Sequence, residues 1–187
     1  MIVILINGVS LSGKDTFVRL VKEEVRDKKL GLLVSSISTI DPIKDIYSDF
    51  FGWDGEKTNR DRKNLNVLKN VWVEVSNGPV KYAERILKSL DNNTWNDLVF
   101  IMVREYSEMI SLQSMVNYNR WKCLTLCVQR DGIPIPPIEQ EFLDGHPSDY
   151  EYDVYVFNPT VDTYPDVPKL KDFAEFFCKS MLTYGEK

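Results

Sequence analysis

Met1-Ile2-Val3-Ile4-Leu5-Ile6-Asn7-Gly8-Val9-Ser10-Leu11-Ser12-Gly13-Lys14-Asp15-Thr16 opens the chain with six apolar residues, a glycine-bounded turn and a lysine. An unbroken apolar run without polar alternation reads as a strand buried on both faces. Beyond the turn, Phe17, Leu20, Val21 and Val25 recur on one helical face. Strand, glycine turn and helix in this order make a phosphate-binding loop. Glycines let successive backbone N–H groups turn inward around a polyphosphate, the helix start adds its positive end, and Lys14 neutralises phosphate charge. Gly8, Ser10, Ser12, Gly13, Lys14, Asp15 and Thr16 are therefore the expected nucleotide-binding residues.

Outward from this loop, strands and helices alternate. Residues 32–36 read as a weaker strand, and Asp41-Pro42 opens a short helix to about residue 51, because proline suits a helix's first turn. Thr58 caps the next helix, with Asp61 three residues on and Leu65, Leu68, Val71, Trp72 and Val75 at helical spacing, until Asn77-Gly78-Pro79 ends it. A helix over 79–90 buries Val80, Ala83, Leu87 and Leu90; an apolar strand over 98–103 and a helix over 105–117 follow. Strands are predicted at 122–129 and 153–157. Between them lies a long loop, 130–150, holding Gly132, Pro134, Pro136, Pro137 and Gly145; a structureless segment of that length is more often functional than decorative. The last helix starts after Asp166 and buries Leu170, Phe173, Ala174, Phe177 and Met181. Apolar strands separated by helices predict an α/β fold: a parallel sheet of about five strands covered on both faces.

With 187 residues, 43% hydrophobic and 27% charged, the chain fits one domain, 1–187, with no composition break or repeat. Its 23 Lys+Arg against 28 Asp+Glu give a formal charge of −5, which offers no general basic surface to nucleic acid or an anionic membrane. The longest apolar runs, 1–6 and 98–103, are far short of a membrane span, and the first passes into its glycine turn without a basic leader. Three cysteines make no disulfide framework and suit a reducing cytoplasm. Cys123 and Cys127 on one strand stand roughly 13 Å apart, beyond disulfide or shared-metal reach, and with Cys178 are expected in the core. A single histidine, His146, excludes a multi-histidine metal site.

In place of the usual Ser or Thr directly after the lysine, this loop has Asp15, then Thr16. The Ser12-Gly13-Lys14-Asp15-Thr16 form resembles the nucleoside monophosphate kinases, in particular the phage deoxynucleoside monophosphate kinases and the animal-type phosphomevalonate kinases. Thinner likeness continues through Asp41-Pro42-Ile43-Lys44-Asp45, the helix from Thr58 to Trp72 bearing Arg60 and Arg62, Val103-Arg104-Glu105 with Glu108, Arg130-Asp131-Gly132 at the opening of a lid and His146-Pro147-Ser148-Asp149 at its close, and a final strand ending at Asn158. Two departures stand out: Met102 replaces the strand-end aspartate that would help hold Mg²⁺, and Asp149 replaces the lid's closing glutamate.

The resemblance implies a P-loop NTPase three-layer sandwich with a lid over about 130–150, and phosphoryl transfer from ATP, with Mg²⁺, to a small phosphorylated acceptor, most simply a (deoxy)nucleoside monophosphate. Lys14, Arg104 and Arg130 are the expected catalytic residues; Lys44, Arg62 and Arg104 the acceptor-binding ones; Asp15 and Thr16 the metal-binding ones. Arg62 lies on the same helical stripe as Leu65, Leu68 and Trp72, whereas Arg60 points elsewhere. Asp15 reads equally as a first-turn acid complementing the helix dipole. Arg104 faces either a substrate phosphate or Glu105 and Glu108. The partner is a small molecule, neither nucleic acid nor membrane, with a homodimer left open. The alternatives are a nucleotide-binding protein with little or no turnover, which the missing strand-end acid suggests, and a kinase of another phosphorylated metabolite such as phosphomevalonate, which the same parts would serve.

Overall fold

The computed structural model describes residues 1–9, 11–56, 58–91, 96–130, 150–161, 164–165 and 167–185. Ser10, His146 and the expected lid between Arg130 and Tyr150 fall outside them. Five strands, β1 (Ile2–Asn7), β2 (Leu32–Ser38), β3 (Asn96–Met102), β4 (Lys122–Arg130) and β5 (Val154–Asn158), form one sheet in the order β2-β3-β1-β4-β5. Every neighbouring pair in it is parallel. The helices are α1 (Lys14–Asp27), α2 (Asp41–Phe51), α3 (Asn59–Ser76), α4 (Gly78–Leu90), α5 (Tyr106–Tyr118) and α6 (Val167–Gly185). A small antiparallel pair, β6 (Thr160–Val161) with β7 (Tyr164–Pro165), was not foreseen, because two-residue strands carry no periodicity.

The apolar opening run occupies the sheet's centre, and all six residues of β1 are buried. Side chains of a strand alternate between faces. Ile2, Ile4 and Ile6 accordingly join Phe17 and Val21 of α1 and Leu170, Ala174 and Phe177 of α6. Val3 and Leu5 join Ala83 and Leu87 of α4 and Met109, Leu112 and Val116 of α5 on the other side. Phe17 stands edge-on to Phe177, ring centres 5.7 Å apart. Each such fully buried side chain contributes about 1.5–3 kcal/mol, so two cores clamp β1 and hold the turn that follows it. β2 lies at the sheet edge and is only half-buried, which explains its serine-rich, weaker signal.

The α3 expectation needs correction. Leu65 is buried, but Val71 and Val75 are 54% and 78% exposed, and Lys69 is buried in their stead at 3%. The apolar spacing was real, yet a helix buries only the part of its stripe that meets another element, here α2 and α4. Cys127 and Cys178 are buried and Cys123 half-buried, as expected. Burial pushes the Cys123 thiol up to about 12 and those of Cys127 and Cys178 to about 11, so all three are held as inert thiols.

Candidate functional site

The site begins where β1 ends. Gly8 has φ 143° and Gly13 φ 102°, conformations that L side chains rarely adopt. A Cβ on Gly8 would collide with the Val128 carbonyl oxygen, and one on Gly13 would lie 2.6 Å from Asn158 Nδ2. Only glycine fits at either end of this loop. Between them Leu11, also at positive φ (62°), forms an exposed tip.

Three side chains brace the loop from outside it. Asn7 Oδ1 accepts from Gly8 N–H at 2.5 Å while its Nδ2 donates to the Arg104 carbonyl at 3.4 Å, tying the loop's first glycine to the chain just past β3. Asn158, at the end of β5, donates through Nδ2 to the Ser12 carbonyl at 2.8 Å. Arg130 donates to the Leu11 carbonyl at 3.0 Å. Lys14 Nζ folds over the loop and donates to the carbonyls of Gly8 and Val9, the latter at 2.8 Å. Gly13 caps α1 with no side-chain hydrogen bond, so the amides at this helix start face no capping oxygen and suit an anion. The Ser12 hydroxyl is buried and has no hydrogen-bond partner in the structure. A glycine cradle, an uncapped helix start, a lysine and an orphaned hydroxyl together suit a polyphosphate.

Beside the loop opens a cavity of about 260 Å³ at the carboxyl ends of β1, β2 and β3, the place where ligands sit in open parallel sheets. Lys14 and Asp15 line it from the loop, Lys44 from α2, Arg62, Asn66 and Lys69 from α3, and Met102, Arg104, Glu105 and Glu108 from the β3–α5 junction. The structure thus brings Lys14, Asp15, Lys44, Arg62 and Arg104 together. Arg130 stands apart from this cavity lining and braces the loop tip. Thr16, half-buried on α1, does not line the cavity either. Arg60 lines a separate hollow of about 610 Å³ between α2 and α3, consistent with its pointing away. Lys44 is half-buried and pairs with Asp41 at 2.7 Å, while Asp41 also accepts from the Ser38 N–H.

Lys69 is the residue that sequence reasoning missed. It is 3% exposed and its Nζ lies 2.8 Å from Glu105 and 2.6 Å from Glu108. Burial works against its charge, but the two carboxylates outweigh that, and its pKa is raised above the ordinary lysine value. Glu105 and Glu108, two candidate partners for Arg104, thus share one lysine charge from α3. Asn7 and Asn158 were also missed as site-builders: an asparagine at a strand end reads as punctuation.

Among the described residues, no three His, Cys, Asp or Glu side chains come together as a metal cluster. Exposed Asp15 meets the minimum for Mg²⁺, which commonly takes one or two carboxylates plus substrate phosphate. Met102 lines the cavity where a harder ligand was expected. None of the described helices is long and apolar enough to cross a membrane.

No family model and no curated protein matches the chain. Solved structures do. The APS kinase CysC of Mycobacterium tuberculosis, in complex with AMPPNP and APS, superposes with a TM-score of 0.53 at 10% identity, covering 99% of this chain and 97% of that one. The Cys556Ala mutant of the same kinase gives 0.51 at 11% identity, covering 95% and 94%. The protein APE1195 gives 0.54 at 12% identity, covering 96% and 95%. Likeness at such identities speaks to architecture, and with the parallel five-stranded sheet and the glycine loop after β1 it leads to one conclusion: the chain has the α/β P-loop NTPase sandwich fold.

Proposed function

We propose that the protein transfers the γ-phosphoryl group of ATP to the phosphate of a small acceptor, a (deoxy)nucleoside monophosphate, giving the diphosphate. One observation carries this reading: a single cavity is lined by Lys14 of the phosphate loop on one side and by Lys44, Arg62 and Arg104 on the other. A protein that only bound ATP would need the loop alone; three further cations across the same cavity suit a second anionic group.

Transfer of this kind needs little covalent chemistry from the protein. An acceptor phosphate, with a second pKa near 6, is already ionised at neutral pH, so no general base is required. The loop amides and Lys14 hold the donor phosphates, while the guanidinium forks of Arg62 and Arg104 match the oxygens of the acceptor phosphate. Arg130 contributes by fixing the loop tip through the Leu11 carbonyl. When bound, Mg²⁺ supplies charge screening between the two phosphates; Asp15, and Thr16 by its place in the loop, are the residues proposed to hold it.

Met102 in the cavity wall favours one second reading, a nucleotide-binding protein with little turnover. An ATP-consumption screen over nucleoside monophosphates and phosphomevalonate, with a no-acceptor control, separates the two. Acceptor-dependent ADP formation supports the kinase; ATP binding without ADP formation supports the alternative; ADP formed equally without acceptor contradicts both. A Met102→Asp variant is expected to lower the Mg²⁺ concentration giving half-maximal rate, and an unchanged requirement would remove this position from metal use.

A further inference from the structure

The acceptor side of the cavity contains an electrostatic contradiction. Arg62 and Arg104 suit a phosphate, yet Glu105 and Glu108 line the same wall, and two carboxylates there would repel a phosphate dianion. Lys69 lies between them, buried, bonded to both, and itself part of the lining. It comes from α3, two turns beyond Arg62, while both glutamates belong to the segment that follows Arg104. Only one oxygen of the Glu108 carboxylate is hydrogen-bonded; the other, Oε1, is buried with no partner in the structure. Lys69 is therefore the charge that this carboxylate depends on.

We propose that Lys69 is a positioning residue for the anionic acceptor, acting through Glu105 and Glu108: its charge offsets one of their two, so that with Arg62 and Arg104 the wall stays net positive and admits a phosphate. The inference rests on the phosphoryl-transfer reading and specifies what the acceptor side requires, an anion next to a partly offset acidic pair. A purely mechanical role, fastening α3 to α5, is the competing explanation, because the same ion pairs join those two helices.

Charge and mechanics separate in a three-variant experiment on the full chain, read by the acceptor KM, the ATP KM and direct calorimetric binding of a nucleoside monophosphate. Lys69→Met removes the cation at similar volume and leaves one more net negative charge on the wall; the acceptor KM is expected to rise at least tenfold, with the ATP KM changed by less than threefold. Lys69→Arg restores the charge and should recover most of the loss. The triple variant Lys69→Met, Glu105→Gln, Glu108→Gln lacks the two Lys69 ion pairs and both carboxylate charges. Its acceptor KM should return to within about threefold of the parent. An acceptor KM unmoved by Lys69→Met, or a triple variant still impaired tenfold, overturns the inference. If Lys69→Met alone fails to fold, the triple variant decides by the same criterion, since replacing a whole buried ion network with neutral groups is far better tolerated than removing one partner. A parent protein that neither binds nor phosphorylates any monophosphate would count against the function itself, an outcome distinct from a Lys69 effect that is absent in an active enzyme.

Discussion

Arg104 shows how far a single residue can be read. Its place after an apolar strand marks it as a ligand-facing charge, and the structure sets it on the cavity wall with Lys14, Lys44 and Arg62. If its guanidinium holds the acceptor phosphate through two parallel bonds, Arg104→Lys keeps the charge and loses the fork. The expected cost is about 1.5–3 kcal/mol, or roughly ten- to a hundredfold in acceptor kcat/KM, with the ATP KM little changed. A fall in melting temperature with unaltered kinetics would instead make Arg104 structural. Lys14 and the glycines were legible because their chemistry depends on backbone sequence: spacing alone fixes where the amides point. Lys69 was not. A lysine in mid-helix reads as solvated, and nothing local announces that two glutamates about forty residues later will close around it.

At the scale of elements, α3 matters most, since it carries Arg62, Asn66 and Lys69 to the cavity. Its start was legible as Thr58 followed by Asp61, and the structure forms the full capping box: the Asp61 N–H donates to the Thr58 hydroxyl at 3.2 Å and the Thr58 N–H to the Asp61 carboxylate at 3.2 Å. Hydrogen bonding from Thr58 is the main cause of a lowered Asp61 pKa, against some desolvation, with Tyr47 and Arg60 adding to the lowering. A carboxyl held below its unfolded value contributes stability above that value and loses it as pH falls through the folded one. Thr58→Ala should cost about 1 kcal/mol, a drop of roughly 2–4 °C in a chain of this size. The penalty should shrink only as pH falls below the ordinary carboxylate range and through the lowered folded-state value of Asp61. A penalty that stays the same along an acid titration, and is also unchanged in the neutral Asp61→Asn background, would show by thermal unfolding that the box does not work through the Asp61 charge. The outer reach of α3 was misread for a reason of the same scale: period reveals a face, but only the neighbouring element decides how much of it is covered.

Across the whole molecule, the phosphate loop is held by the ends of three strands as well as by its own residues: Asn7 from β1, Arg130 from β4 and Asn158 from β5 converge on it. The contacts of Arg130 and Asn158 could not be read before the order β2-β3-β1-β4-β5 was known, because they join positions more than a hundred residues apart. Such an arrangement makes nucleotide binding a global stability term. A ligand that binds only the folded state adds RT ln(1 + [L]/Kd), about 2.7 kcal/mol at a hundred times Kd, so ATP at that concentration should raise the melting temperature by roughly 5–11 °C. Lys14→Ala should abolish most of this rise while leaving the ligand-free melting temperature within about 2 °C of the parent, because the Lys14 bonds to the Gly8 and Val9 carbonyls lie within the loop and tie no other element to it. A ligand-free melting temperature that falls by much more would make Lys14 a structural clasp of the loop. An ATP-induced rise as large in the variant as in the parent would place nucleotide binding somewhere other than this loop, and the phosphoryl-transfer reading would fall with it.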